Sequence, residues 1–191
     1  MKTPRICILA SGSGTNAEAI YHYFHGKDTA DVVMVLSNKA DAPVLQRMKP
    51  LNVIAIPFTR FQFYESDEMI TFLKQFGITH IVLAGFLWQV PSSLVQAFLG
   101  KIINIHPALL PKFGGKGMYG IRVHQAVKAA GETETGITIH EVNEHYDEGQ
   151  IIFQAKCPVL PTDTPEQIAA KVQLLEHTHF AREIEKWIGN R

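Results

Sequence analysis

Asn104 and His106 are the side chains whose types and spacing first suggest chemistry in this sequence. They lie two residues apart in an apolar run, residues 101–111, that also contains Pro107. In an extended strand both would project from the same face while the intervening isoleucines pack on the other. Pro107 ends the regular structure, so the pair is expected at the carboxyl end of a buried strand, where open α/β sheets bind ligands. An amide donor beside an imidazole suits a reaction that develops negative charge on oxygen. The alternative is a core strand whose polar groups are satisfied by backbone.

A second candidate site is the turn at residues 11–16, Ser-Gly-Ser-Gly-Thr-Asn, between an apolar strand and a helical pattern. Its glycines let backbone N–H groups approach an anion, and a helix N-terminus adds partial positive charge. We therefore expect a phosphate monoester site formed by Ser13, Gly14, Thr15 and Asn16. The turn lacks the third glycine of the dinucleotide fingerprint and the Gly-Lys-Ser/Thr of a P-loop, so neither NAD nor ATP is indicated. A tight turn with Asn16 as helix N-cap is the alternative.

Strand and helix patterns alternate along the chain and predict an α/β fold. Strands are expected at residues 6–10, 31–36, 52–56, 80–84, around Asn104, and at 136–142 and 150–158, the last two half-exposed. Helices are expected between most of them, with residues 59–64 irregular and Asp41 as a helix cap. A final helix begins at Thr164, with Gln167 completing a capping box. Right-handed crossovers then build a mostly parallel twisted sheet of about seven strands with helices on both faces.

Two polar segments lie near the expected site. Residues 112–120 contain four glycines in nine residues, which favours a mobile loop over the site. Residues 143–149 form an acidic turn that is too polar for the core.

Composition limits the functional classes. The 191 residues are 46% hydrophobic and 19% charged, which suits one soluble domain, and 18 basic against 18 acidic residues leave no basic field for nucleic acid. Cys7 and Cys157 lack Cys-x-x-Cys spacing and are expected to be buried free thiols. No segment suits a signal peptide or a bilayer span, so we expect a cytoplasmic protein without membrane contact. The histidines lack zinc-site spacing, so no metal is expected.

With these residues collected, the sequence closely resembles the phosphoribosylglycinamide formyltransferases over almost its whole length. The resemblance is carried by the motifs at residues 11–16, 37–41 (Ser-Asn-Lys-Ala-Asp), 82–86 (Val-Leu-Ala-Gly-Phe), 104–111, 136–140 (Gly-Ile-Thr-Ile-His) and 146–149 (Tyr-Asp-Glu-Gly). It implies a Rossmann-like formyltransferase fold and a single domain, residues 1–191. Residues 1–100 would form the phosphate- and nucleotide-binding half, and residues 101–191 the catalytic and folate-binding half. The implied activity is formyl transfer from 10-formyltetrahydrofolate, as co-substrate, to the amine of glycinamide ribonucleotide in de novo purine biosynthesis.

The resemblance also implies roles for individual residues. Asn104, His106 and Asp147 would be the catalytic group, and Ser13 to Asn16 would hold the nucleotide phosphate while Glu176 reaches the ribose. The folate ring would lie against the segment made of Leu87, Trp88, Gln89 and Val90, with Asn104, Asp147 and the acidic turn completing its pocket. Trp88 and Gln89 stand where an Arg and an Ile are common, and the glycine loop is longer than usual. The implied partners are small molecules, and monomer and homodimer are both open.

Three other classes fit parts of the pattern. A formyltetrahydrofolate hydrolase would use a similar Asn, His and Asp with water as the nucleophile, and usually with an extra N-terminal regulatory domain. A methionyl-tRNA formyltransferase would need a further C-terminal domain and a basic surface, which the balanced charge does not supply. A phosphate-ligand sensor would use the glycine turn but would not need the His and Asp.

Overall fold

The computed structural model describes residues 3–190 and contains one seven-stranded sheet. The strands are β1 (Arg5–Leu9), β2 (Asp31–Ser37), β3 (Ile54–Pro57), β4 (His80–Leu83), β5 (Ile102–His106), β6 (Glu134–Glu141) and β7 (Ile151–Pro158). The helices are α1 (Thr15–Phe24), α2 (Pro43–Met48), α3 (Arg60–Tyr64), α4 (Glu68–Gln75), α5 (Ser92–Ala97), α6 (Ile121–Ala129) and α7 (Pro165–Gly189). The strand order is β3-β2-β1-β4-β5-β6-β7, with β1 to β5 parallel and β6 and β7 antiparallel to their neighbours. The predicted α/β fold class is confirmed.

Successive residues of β1 show how the sheet is covered on both faces. Ile6 and Ile8 belong to a core cluster with residues of α1, α2 and α7, whereas Cys7 and Leu9 belong to a second cluster with α4 and α5. All four side chains are inaccessible to solvent. Because neighbouring side chains of a strand point to opposite faces, an unbroken apolar run is what a strand buried between two helical layers requires.

The strand order places a ligand crevice at one edge of the sheet. From β1 the chain proceeds to β2 and β3 on one side, and from β4 to β5 on the other. The loops after β1 and β4 therefore diverge, which leaves a cleft at the carboxyl ends of these strands. The turn at residues 11–16, the segment at residues 85–90 and the end of β5 all lie at this edge.

The structure differs from the sequence predictions at three elements. Residues 60–64 form the short helix α3 rather than an irregular segment, because Thr59 and Gln62 make a reciprocal capping box. Strand β6 is buried on both faces from residue 135 to 140 instead of being half-exposed, since it lies between β5 and β7 and beneath α7. The N-cap of α2 is Ala42 and not Asp41.

Other predicted details are confirmed. Thr164 caps α7 through the expected capping box with Gln167, and Pro165 is the first helical residue. Both cysteines are free; Cys7 is buried as expected, but Cys157 is only partly buried because it lies on the edge strand β7. Within residues 3–190, no helix combines the length and apolar character needed to cross a membrane.

Candidate functional site

Asn104 is held at the end of the parallel sheet by its neighbours on both sides. It pairs with Leu83 of β4 and, across the antiparallel ladder, with His140 of β6. Its side-chain Nδ2 lies 3.0 Å from Nε2 of His140. The other ring nitrogen of His140, Nδ1, donates to the carbonyl oxygen of Glu141 at 2.8 Å, so Nε2 is the acceptor for the Asn104 amide. One amide hydrogen of Asn104 is thus used for orientation, and the second is available to a ligand.

His106 is buried at the last position of β5 and has two contacts that define its state. Its Nε2 donates to the carbonyl oxygen of Phe113 at 2.8 Å, and its Nδ1 lies 3.5 Å from Oδ2 of Asp147. Burial lowers the pKa of His106, although the Asp147 carboxylate and the Phe113 carbonyl oppose the shift. The ring is therefore neutral in the free protein at neutral pH, with an unprotonated Nδ1 facing the carboxylate.

Asp147 lies in the acidic turn with a backbone φ of 56°, in the left-handed region that Asp and Asn tolerate best among residues with a side chain. Its Oδ2 accepts the backbone N–H of Gly115 at 2.8 Å, and its Oδ1 lies 3.5 Å from Nε2 of His140. Burial would raise the pKa of Asp147, but His140, His106 and the Gly115 N–H together lower it below its ordinary value. The acidic turn thus delivers an ionised carboxylate to the two histidines.

The glycine turn forms one end of a cleft of about 540 Å³ that extends to Asn104. Gly14 has a φ of 79° and is the N-cap of α1; no side chain caps this helix, so Asn16 is not its cap. The backbone N–H groups of the first turn are therefore left for a ligand. A Cβ on Gly14 would lie 2.3 Å from Cγ2 of Val44, whereas a Cβ on Gly12 would meet nothing within 4 Å. Gly14 is needed for the packing of α2, and Gly12 faces open space.

Glu176 of α7 lies beside the glycine turn, on the wall of the same cleft. Its Oε2 accepts from Nδ2 of Asn16 at 2.8 Å, and Gln173 donates to the Thr15 hydroxyl at 3.3 Å. Burial raises the pKa of Glu176, and the hydrogen bond from Asn16 opposes this shift. The structure therefore brings Ser13, Gly14, Thr15, Asn16 and Glu176 together at one cleft.

A second cleft of about 350 Å³ lies on the other side of Asn104. Its walls are the segment of Leu87, Trp88, Gln89 and Val90, the glycine loop, and the acidic turn with Asp147. Nε2 of Gln89 donates to the carbonyl oxygen of Glu144 at 2.8 Å and so ties two of these walls together. The indole of Trp88 packs among Phe58, Phe63 and Tyr64, with ring centroids 5.7–5.9 Å apart. These four aromatic side chains therefore pack against one another and give the second cleft a rigid wall.

The two clefts share a wall that contains Asn104, Phe86 and Leu87. Ser11 fixes this wall, because its hydroxyl accepts the backbone N–H of Leu87 at 3.0 Å and donates to Oδ1 of Asn38 at 2.7 Å. Two ligands, one in each cleft, would therefore meet at the amide of Asn104.

Sequence reasoning missed two residues that organise the site. His140 orients Asn104 and contacts Asp147, yet 36 positions separate it from Asn104. Thr138 shares its face of β6 and accepts the backbone N–H of Leu110 at 2.9 Å, which fixes the segment after β5. The sequence contains one signal that could have identified them: Thr138 and His140 alternate with isoleucines, which places both polar side chains on the same face of a strand. Among residues 3–190, no three His, Cys, Asp or Glu side chains are grouped so that they could hold a metal ion.

Comparisons with known proteins identify the family of this chain. The family model described as formyl transferase matches residues 4–184. The chain is 39% identical to the phosphoribosylglycinamide formyltransferase of Haemophilus influenzae, over 96% of this chain and 86% of the relative. It is 40% identical to a chloroplastic phosphoribosylglycinamide formyltransferase of Arabidopsis thaliana over 91% of this chain, but spans only 61% of that relative's length.

Solved structures show the same architecture. The glycinamide ribonucleotide transformylase 1 of Symbiobacterium toebii superposes with a TM-score of 0.90 at 32% identity, over 100% of this chain and 90% of that one. The fold of this chain is therefore that of this transformylase. The chain belongs to the formyl transferase family, among the phosphoribosylglycinamide formyltransferases.

Proposed function

We propose that this chain transfers the formyl group of 10-formyltetrahydrofolate to the amine of glycinamide ribonucleotide, the step of de novo purine biosynthesis that gives formylglycinamide ribonucleotide and tetrahydrofolate. The observation that carries the proposal is the meeting of two clefts at Asn104, beside His106 and Asp147. Group transfer between two small molecules requires their reactive ends to meet at one set of polar groups. The names of the bacterial and plant relatives support the choice of substrates.

The cleft at the glycine turn suits the nucleotide. Its first-turn N–H groups and helix N-terminus favour a phosphate dianion near Ser13 to Asn16. Glu176, partly buried and acceptor-rich, would bind ribose hydroxyls. The amine would then lie at the other end of the cleft, near Asn104.

The smaller cleft suits the folate. It is a slot between the Leu87 to Val90 segment and the acidic turn, with apolar side chains such as Leu83 and Val142 and a few polar groups, which fits a flat bicyclic ring. Residues 1–100 would then supply the phosphate-binding turn and the wall at residues 84–87, whereas residues 101–191 supply the catalytic group, the rest of the nucleotide cleft and part of the folate site.

In the reaction a C–N bond forms between the amine nitrogen and the formyl carbon, the bond from that carbon to the folate nitrogen breaks, and one proton passes from the amine to the leaving nitrogen. The free amide hydrogen of Asn104 would donate to the formyl oxygen as negative charge develops there. Asp147, ionised by its surroundings, would accept the amine proton directly or through one water molecule.

His106 would change its protonation state during the reaction. Its Nδ1 is unprotonated in the free protein and lies 3.5 Å from Oδ2 of Asp147, so the proton that Asp147 takes from the amine would pass to this nitrogen on its way to the leaving folate nitrogen. The Asp147 carboxylate, free of the proton again, would stabilise the imidazolium. Nε2 stays committed to the Phe113 carbonyl. The Nδ1–H of the protonated ring would then be the donor for the developing oxyanion.

The experiment that tests this function incubates the purified protein with 10-formyltetrahydrofolate in the presence and absence of glycinamide ribonucleotide. Formyl transfer predicts loss of formylfolate only when the nucleotide is present, with one formylated nucleotide per folate consumed. Loss of formylfolate without nucleotide would indicate a hydrolase, and no loss in either case would contradict the proposal. We further propose that the protein acts in the cytoplasm, which its two free thiols support, as a monomer or a homodimer.

A further inference from the structure

His124 of α6 is a buried histidine to which the reaction above gives no role. It is 5% exposed and lines the larger cleft. Its Nδ1 is sealed from solvent and has no hydrogen-bond partner among residues 3–190. Buried polar atoms are nearly always paired, so an unpaired one beside a ligand cleft calls for an explanation.

The unpaired nitrogen indicates which tautomer His124 adopts. A buried N–H without an acceptor is rarer in proteins than a buried acceptor without a donor. Nδ1 is therefore the unprotonated nitrogen, and Nε2 carries the hydrogen and is the ring atom that the cleft can reach. Burial, together with the nearby His106, lowers the pKa of His124 to about 4, so the ring stays a neutral donor at neutral pH.

The position of His124 selects the part of the ligand that it can contact. It lies near enough to His106 for their charges to interact, and Pro107 and Asn104 line the same end of the cleft. Residues 12–16 line the opposite, phosphate-binding end. A nucleotide whose phosphate binds at that end would place its amide group, which lies between the ribose and the amine, beside α6.

We propose that His124 donates a hydrogen bond from Nε2 to the carbonyl oxygen of the substrate's glycinamide group and thereby directs the amine toward Asn104. This inference rests on the proposed function, because it takes the nucleotide as the ligand of the larger cleft. His124 would recognise the carbonyl oxygen of the amide whose nitrogen is attached to the ribose, and so distinguish an aminoacyl amide from a bare sugar phosphate.

The test is to measure by calorimetry, without folate, the binding of glycinamide ribonucleotide and of ribose 5-phosphate, which lacks the amide. In His124→Leu, we expect the affinity for glycinamide ribonucleotide to fall by about 10-fold, the scale of one neutral hydrogen bond, and that for ribose 5-phosphate to change by less than about 2-fold. His124→Gln, whose Nε2–H can replace the ring donor, should retain affinity within about 3-fold. His177→Leu, an exposed histidine on α7, is the matched control and should bind both ligands as the wild type does.

Each other outcome contradicts a specific statement. Equal loss of both ligands in a folded His124→Leu protein would mean that His124 only supports the cleft, and no loss of either would mean that it makes no contact. If His124→Leu does not fold, the test falls to His124→Gln. The inference would be overturned if His124→Gln did not distinguish glycinamide ribonucleotide from ribose 5-phosphate as the wild type does. A wild-type protein that binds neither ligand would contradict the proposed function itself, and the inference with it.

Discussion

Replacement of Asp147 by Asn is the sharpest test of the catalytic group, because the structure separates the geometric role of this residue from its charge. Its Oδ2 accepts the Gly115 N–H at 2.8 Å, a contact that the Asn carbonyl oxygen can keep. Asn also tolerates the left-handed backbone at φ 56°. What the variant loses is a carboxylate 3.5 Å from both His106 and His140, and with it the ability to accept a proton.

We therefore expect Asp147→Asn to lower kcat by about 10²-fold or more, the usual scale for a positioned acid–base group, and to change both KM values by only about 3-fold. Steady-state kinetics with glycinamide ribonucleotide and 10-formyltetrahydrofolate would measure this. Asp163→Asn is the matched control: Asp163 is also buried and accepts the Leu160 N–H at 2.7 Å, but it pairs with Lys171 away from both clefts. It should affect stability and leave kcat unchanged.

The Asp147→Asn variant also allows a prediction for stability. Because the folded pKa of Asp147 is below the ordinary value of 3.8, the ionised carboxylate stabilises the folded state above that pH, and this contribution is lost as pH falls through the folded pKa. Denaturation curves should show wild type more stable than Asp147→Asn at pH 7, with the difference shrinking below about pH 4. A folded Asp147→Asn protein with near wild-type kcat would refute the catalytic assignment.

Three further predictions concern the surroundings of this group. Gly14→Ala should lower the free energy of unfolding by about 1–3 kcal/mol in chemical denaturation, because the added Cβ would overlap the Val44 side chain. Gly12→Ala should leave the protein as stable as the wild type and weaken nucleotide binding. Equal stability of the two variants would contradict the packing argument. His140→Phe should lower kcat by about 10-fold with KM values retained, since it removes the acceptor that orients Asn104, and an unchanged kcat in steady-state kinetics would exclude that role. Backbone amides of residues 112–120 should exchange more slowly when both substrates are bound than in the free protein, and unchanged hydrogen exchange would argue against closure of this loop.

The part of the site that the sequence predicts well is the part built from short stretches of chain. Asn104 and His106 share a strand, so their spacing and the following Pro107 are enough to place them at the edge of the sheet. The glycine turn is likewise local, because residues 13–16 follow β1 directly. In both cases the backbone geometry of one element determines which side chains lie together.

The parts that sequence reasoning missed depend on contacts between distant segments. His140 reaches Asn104 only because β6 returns antiparallel beside β5, and no periodicity within residues 136–142 reveals that pairing. Helix α3 was missed although Thr59 and Gln62 carry its capping signal, because the aromatic run after Thr59 obscured it.

The contact of Gly14 with Val44 has a consequence for how an anion would bind. Three contacts join α2 to the glycine turn: this packing, the hydrogen bond from the Val44 N–H to the Gly12 carbonyl at 3.1 Å, and that from Nε of Arg47 to the Ser13 carbonyl at 2.8 Å. The turn therefore takes its shape when the domain folds, and the conformational entropy of ordering it is lost then. An arriving phosphate meets a preorganised receptor and has little chain left to order, so its affinity is not reduced by that cost.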